Sequence, residues 1–260
     1  MAKRVLLEVI ASSLDDARAA VQGGADRLEL CSALALGGLT PSLGTLEAIK
    51  EHLDVPVVCM VRPREGGMSY SEGEFEVMLR DARLLLQRGA DGLVFGFLQP
   101  GGELDAERCR WFVEEALAAA APRQPQLVFH RAFDVVANPE TTLEELVSLG
   151  VTRILTSGRA AEAVRGIDNI RRYVELARGR IQILPGGGID LFSVEEIVRA
   201  TGVDQVHLYL PDVLEDHSVM RNLEIRFGAY EPRSELEFHR TSTAKVRRVR
   251  ELLDRLESGS

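Results

Sequence analysis

An alternation constrains this chain more than any other feature. Eight short apolar runs, Val5–Ile10, Leu28–Leu30, Val55–Val61, Gly92–Phe97, Leu127–Phe129, Arg153–Leu155, Ile181–Leu184 and Val206–Leu208, are separated by longer segments of helical periodicity. Those segments include Leu14–Val21, Leu43–Leu53, Phe75–Leu86, Arg108–Ala119, Leu143–Leu149, Ala160–Leu176 and Val194–Ala200. A helix between two strands carries the chain back along the sheet, so such strands pair in parallel. Eight units of this kind close on themselves, and 260 residues is the length of one closed barrel. The expected fold class is α/β, a single (β/α)8 TIM barrel over residues 1–260. Residues 210–240 hold Pro211, Gly228 and Pro232 and read as an irregular loop over the barrel mouth, and 243–256 as a last amphipathic helix.

A weak internal repeat supports the count. Gly24-Ala25-Asp26, Gly89-Ala90-Asp91, Gly150-Val151-Thr152 and Gly202-Val203-Asp204 each follow a helical segment and precede a strand, where a left-handed glycine ends the helix. Helix starts agree. Ser71-Glu72-Gly73-Glu74 and Ser193-Val194-Glu195-Glu196 read as capping boxes, while Thr40-Pro41 and Asn138-Pro139 put a cap residue before a proline.

In parallel α/β folds, ligands bind beyond the carboxyl ends of the strands. Phe129-His130-Arg131-Ala132-Phe133-Asp134 ends an apolar run in three side chains able to do chemistry. Glu8, Glu29, His130 and Asp134 are the candidate acids and bases, and Arg62, Arg64, Arg131 and Ser157 the candidate ligand contacts. Gly186, Gly187 and Gly188 follow the seventh run, where barrels expose backbone amides to an anion. Each has a plainer reading: a paired buried acid, a solvated basic turn, a tight glycine turn. His207 reads as a core histidine.

A net charge of −9 and a pI near 5.2 argue against nucleic acid or an anionic membrane as partner, though a local arginine cluster can still hold a small anion. Cys31, Cys59 and Cys109 are an odd, widely spaced set, which reads as reduced thiols in a cytoplasm. The N-terminus enters a strand-like run at Val5, too short for a secretory signal. No apolar run approaches the roughly 18 residues of a membrane span.

Several blocks in order, Gly24 to Cys31, Gly37-Gly38-Leu39-Thr40-Pro41-Ser42, Arg62-Pro63-Arg64, Tyr70 to Glu74, Phe129 to Asp134 and Leu155-Thr156-Ser157-Gly158, resemble the CutC family, named for copper homeostasis. The resemblance spans roughly Leu6 to Gly188. It implies a cytosolic TIM-barrel protein, a homodimer or higher homo-oligomer, that handles Cu(I) through cysteines. Cys31 is then the candidate Cu(I) ligand, joined by Met60 or His130, since soft donors favour that ion. The pattern departs where Ile10 stands in place of a cysteine ending the first strand, and where His207-Leu208-Tyr209 replaces a more polar run. By strand alternation Cys59 points toward the helices, and Cys109 reads as a small buried hydrophobe. Two readings remain: copper homeostasis with Cu(I) bound, or an enzyme doing acid/base chemistry on a small anionic metabolite, which the convergence of arginines with acids favours.

Overall fold

The computed structural model describes residues 4–227 and 234–258. Eight parallel strands form one sheet: β1 (Leu6–Ala11), β2 (Arg27–Leu30), β3 (Val57–Met60), β4 (Gly92–Phe95), β5 (Gln126–Phe129), β6 (Arg153–Thr156), β7 (Gln182–Pro185) and β8 (Gln205–Leu208). From β1 to β7 each pairs with its neighbour in sequence, and β1 also pairs with β8. A single bridge, Gly186 to His207, joins β7 to β8 and completes the ring. Every predicted apolar run overlaps a strand, because runs this short and this buried fit a strand covered on both faces.

Seven helices run between these strands: α1 (Leu14–Gly23), α2 (Leu43–His52), α3 (Glu72–Gln87), α4 (Ala106–Ala120), α5 (Pro139–Ser148), α6 (Ile167–Ala177) and α7 (Val194–Thr201). The four repeat glycines all take positive φ, from 70° at Gly202 to 98° at Gly24, as the helix-ending role requires. Ser71 forms the capping box with Glu74 that its spacing predicts. The other starts differ. Ser193 takes helical dihedrals and caps nothing; its hydroxyl joins the turn around Asp190, whose carboxylate accepts from the amides of Phe192 and Ser193. Ser42, not Thr40, caps α2, since Thr40 is held by the backbone of Arg62. Asn138 precedes Pro139 but its side chain makes no cap bond. The segment from Ala160 becomes regular α-helix only at Ile167, after a short 3-10 turn over Ala163–Gly166.

Beyond the barrel, the stretch read as an irregular loop contains an antiparallel hairpin, β9 (Pro211–Glu215) with β10 (Glu237–Thr241). Alternating residues there satisfy each other's backbone, which a proline at the first strand position does not prevent. Gly228 and Pro232 lie outside the described residues. The hairpin leads into α8 (Thr243–Ser258), which packs on α1.

Two apolar cores follow from strand alternation. The larger lies between sheet and helices and takes in Cys59, as its face predicts. The smaller fills the barrel with Ile10, Cys31, Val58, Met60, Val94, Val128, Leu155 and Leu184. Below it the interior turns polar: Arg153 donates to Gln126 and Gln182, and Arg27 donates to Glu8 and Gln205. These groups compensate one another's burial, since an unpaired charge there would cost several kcal/mol.

Candidate functional site

The carboxyl ends of the strands enclose a cavity of about 360 Å³, at the small end of the range for ligand pockets. Its polar lining brings together Glu29, Arg62, His130, Arg131 and His207 with the Gly187 and Gly188 backbone. Its apolar lining includes Met60 and Met68.

The acidic side is assembled by register. Glu8 of β1 pairs with His207 of β8 and with Arg27 of β2, and two residues further along the strands Glu29 of β2 pairs with Ile10. His207 stands between two carboxylates, with Nδ1 2.7 Å from Glu8 Oε1 and Nε2 3.7 Å from Glu29 Oε2. Burial raises the Glu8 pKa, but Arg27, His207 and Arg153 outweigh it and hold the carboxyl well below the usual range. Glu29 lacks a cation of its own. Burial, opposed by His207 and reinforced by the Glu8 charge, lifts it to about 7. Burial also works against a charged His207, yet Glu29 and Glu8 raise it above the ordinary imidazole value. Glu29 and His207 thus both hold a proton to higher pH than their ordinary values. Glu8 lies mid-strand rather than at a strand end; it backs His207 and does not line the cavity. His207 belongs to the site rather than to a closed core. Its signal was available in the β1–β8 closure, which puts position 207 beside position 8.

The donor side comes from β3 and β5. Arg62 is buried and held by the carbonyls of Leu36, Gly38 and Gly66, which leaves its Nε without a partner among the described residues. His130 follows β5 directly, and its Nδ1 accepts from the Ala132 amide at 3.1 Å. Burial and the Arg62 charge push its pKa down to about 3, so the ring is neutral. With Nδ1 as acceptor, the proton sits on Nε2, which also lacks a partner. Two N–H groups on residues that line one cavity thus lack an acceptor, and Glu29 Oε1, on a third lining residue, is unpartnered as well. Native interiors pair such groups, so three orphans on one cavity mark a place for a ligand. Gly96 makes room for the His130 ring, since a Cβ there would lie 2.4 Å from Cε1; Gly186 does the same for His207, at 2.9 Å. Neither role shows in local sequence, because each depends on a side chain from another strand.

Arg131 donates from Nε to Asp134 and from Nη2 to Ser157, at 2.9 and 2.8 Å. Its Nη1 remains, and a Cβ built on Gly187 (φ 104°) would lie 3.0 Å from it. The amides of Gly187 and Gly188 find no backbone partner among the described residues, whereas that of Gly186 is bound by Thr156. Asp134 is committed elsewhere: Thr156, the amides of Ser157 and Arg159, the Ser157 hydroxyl and Arg131 all donate to it. It and Ser157 tie the β5 loop to the β6 loop and position Arg131; neither lines the cavity. Arg64 is also outside, clasping Glu74 and three loop carbonyls.

Cys31 lies just behind the cavity wall, where burial and Glu29 push its thiol up to about 12. A Cβ on Gly38 would stand 3.5 Å from its Sγ and 3.8 Å from Met60 Cε, so thiol and thioether flank one glycine. The His, Cys and carboxylate groups able to close on one ion among the described residues are Glu8, Glu29 and His207, a harder donor set than Cu(I) prefers.

The sequence pattern of the CutC family matches residues 5–210. The chain is 47% identical to the CutC family protein of Treponema denticola over 237 residues, 90% of this chain and 94% of that one. It is 41% identical to the copper homeostasis protein cutC homolog of Homo sapiens, over 93% of this chain and 86% of the relative. A crystal structure of CutC from Streptococcus agalactiae superposes with a TM-score of 0.72 at 34% identity, covering 78% of this chain and 97% of that one. Phosphoribosylanthranilate isomerase from Thermotoga maritima shares the barrel at 14% identity, a TM-score of 0.53 and coverage of 96% and 98%, which speaks to fold alone. The length and strength of these matches leave one conclusion, that this chain belongs to the CutC family.

Proposed function

We propose that this chain serves copper homeostasis, the role for which its Homo sapiens and Mus musculus relatives are named. The observation that carries a direct copper contact is the pair of soft-donor side chains, Cys31 and Met60, that both approach Gly38 of the cavity lining. A bound ion would have to displace the Cys31 proton, which metal coordination does readily. Competitive Cu(I) titration tests it: wild type should bind at least tenfold tighter than Cys31→Ala, and equal affinities would remove Cys31 as the ligand. The three buried free thiols suit a reducing compartment, so the cytoplasm is the proposed place of action. No described helix is long and apolar enough to cross a membrane. The working form is a homo-oligomer, with the hairpin exposing one apolar side chain on each face, Val213 on one and Phe238 on the other, for contact with a second copy.

A second reading is favoured by the three orphaned atoms, Glu29 Oε1, Arg62 Nε and His130 Nε2, on one cavity. Two fixed donors and a buried carboxyl on residues lining one cavity are the parts of acid/base catalysis on a small anion. A copper buffer has no use for them. Isothermal titration with small phosphates and carboxylates tests this reading, and an Arg62→Ala protein that bound them as well as wild type would count against it.

A further inference from the structure

We propose that the cavity removes a proton from the carbon beside a carbonyl group, and that its substrate is a small carbonyl compound ending in an oxyanion, a phosphate or a carboxylate. This rests on the acid/base reading above and adds a reaction and a substrate class to it.

The oxygen end of such a molecule is specified by the donors. His130 Nε2 and Arg62 Nε are fixed by their other hydrogen bonds and have no partner of their own. A neutral imidazole N–H stabilises charge that develops on an oxygen without giving up its proton, and preorganised donors of this kind act most strongly where water is excluded. The base is specified by the remaining orphan. Glu29 lines the cavity and its buried Oε1 has no partner among the described residues, while its other oxygen is 3.7 Å from His207 Nε2. The oxyanion end is specified by Arg131 Nη1 beside Gly187 and by the Gly187 and Gly188 amides. Both glycines take positive φ and line the cavity, and a side chain at Gly187 would crowd the guanidinium.

The step balances within these groups. Glu29 Oε1 takes the proton as the carbon–hydrogen bond breaks, its electron pair becomes the new carbon–carbon π bond, and the carbonyl π pair moves onto oxygen. His130 and Arg62 hold the enolate oxygen by hydrogen bonds. Return of the proton from Glu29 to the same or the neighbouring carbon completes an exchange or an isomerisation, with no oxidant and no second substrate. His207 lines the same cavity and passes the Glu29 proton to solvent.

The full chain is incubated in D2O with dihydroxyacetone phosphate in one arm and pyruvate in the other, which separates phosphate from carboxylate recognition. Saturation-transfer NMR reads binding, and loss of the signals beside the carbonyl reads exchange. One probe should exchange about 100-fold or more above its protein-free rate, the range a positioned base provides. Glu29→Gln, nearly isosteric, should abolish exchange and keep binding, while Arg131→Ala should weaken binding about tenfold. Binding without exchange in wild type overturns the enolisation and leaves the acid/base pocket standing. No binding of either probe overturns both. Exchange undiminished in Glu29→Gln overturns the assignment of the base.

Discussion

Two buried side chains that line the cavity, Glu29 and His130, titrate in opposite senses. Folded Glu29 keeps its proton to about pH 7 against an ordinary 4.5, so between those values the folded chain binds the extra proton and stability falls as pH rises. Folded His130 gives up its proton by about pH 3 against an ordinary 6.5, so in that window the unfolded chain binds the extra proton and stability rises with pH. Between about pH 5 and 6.5 the two oppose, each approaching about 1.4 kcal/mol per pH unit. The depressed Glu8 acts below this window and the raised His207 above it. Melting curves should therefore fall with pH for His130→Asn and rise for Glu29→Gln, with wild type between; parallel slopes would contradict the assignment. Arg27→Met is the sharper lesion, because it leaves Glu8 buried without its guanidinium. It should cost about 3–5 kcal/mol in urea unfolding, and a change below about 1 kcal/mol would mean that Glu8 is neutral. The acids, arginines and histidines were all legible as residue types. Their protonation was not, since it depends on Arg27 and the His207 hydrogen bond reaching Glu8 and not Glu29.

At the scale of elements, strand and helix positions read well from periodicity, and turn chemistry read less well. Ser71 and Ser193 carry the same spacing, yet only Ser71 closes a capping box, because Asp190 captures the Ser193 hydroxyl first. Ser71→Ala should lower stability by about 1 kcal/mol. Asp190→Ala should cost more than Ser193→Ala, because it removes three donors' acceptor at once; equal costs in thermal melts would put the cap on Ser193. Thr40 shows the same competition, since its hydroxyl serves the Arg62 backbone and helps hold a cavity residue instead of starting a helix. The hairpin of β9 and β10 escaped the reading because about twenty residues separate its strands, so neither carries a turn signal for the other.

For the whole molecule, barrel closure decides where chemistry can occur. β1 sits between β2 and β8, and that one adjacency joins Glu8 to Arg27, 19 residues away, and to His207, 199 residues away. Sedimentation should show more than one copy per particle, with Val213→Glu and Phe238→Glu together shifting it toward a monomer; a monomeric wild type would leave the exposed hairpin to another partner. The sequence by itself determined the alternation of strand and helix, the parallel barrel that follows from it, the set of polar residues near strand ends and the family resemblance. These are local or repeating signals, carried by neighbours along the chain. Only the tertiary structure decided which of those residues share a cavity. It moved Asp134, Ser157 and Arg64 to supporting bonds, brought His207 in, and placed Gly96 and Gly186 behind the two histidines, because each of those outcomes depends on contacts between strands far apart in sequence.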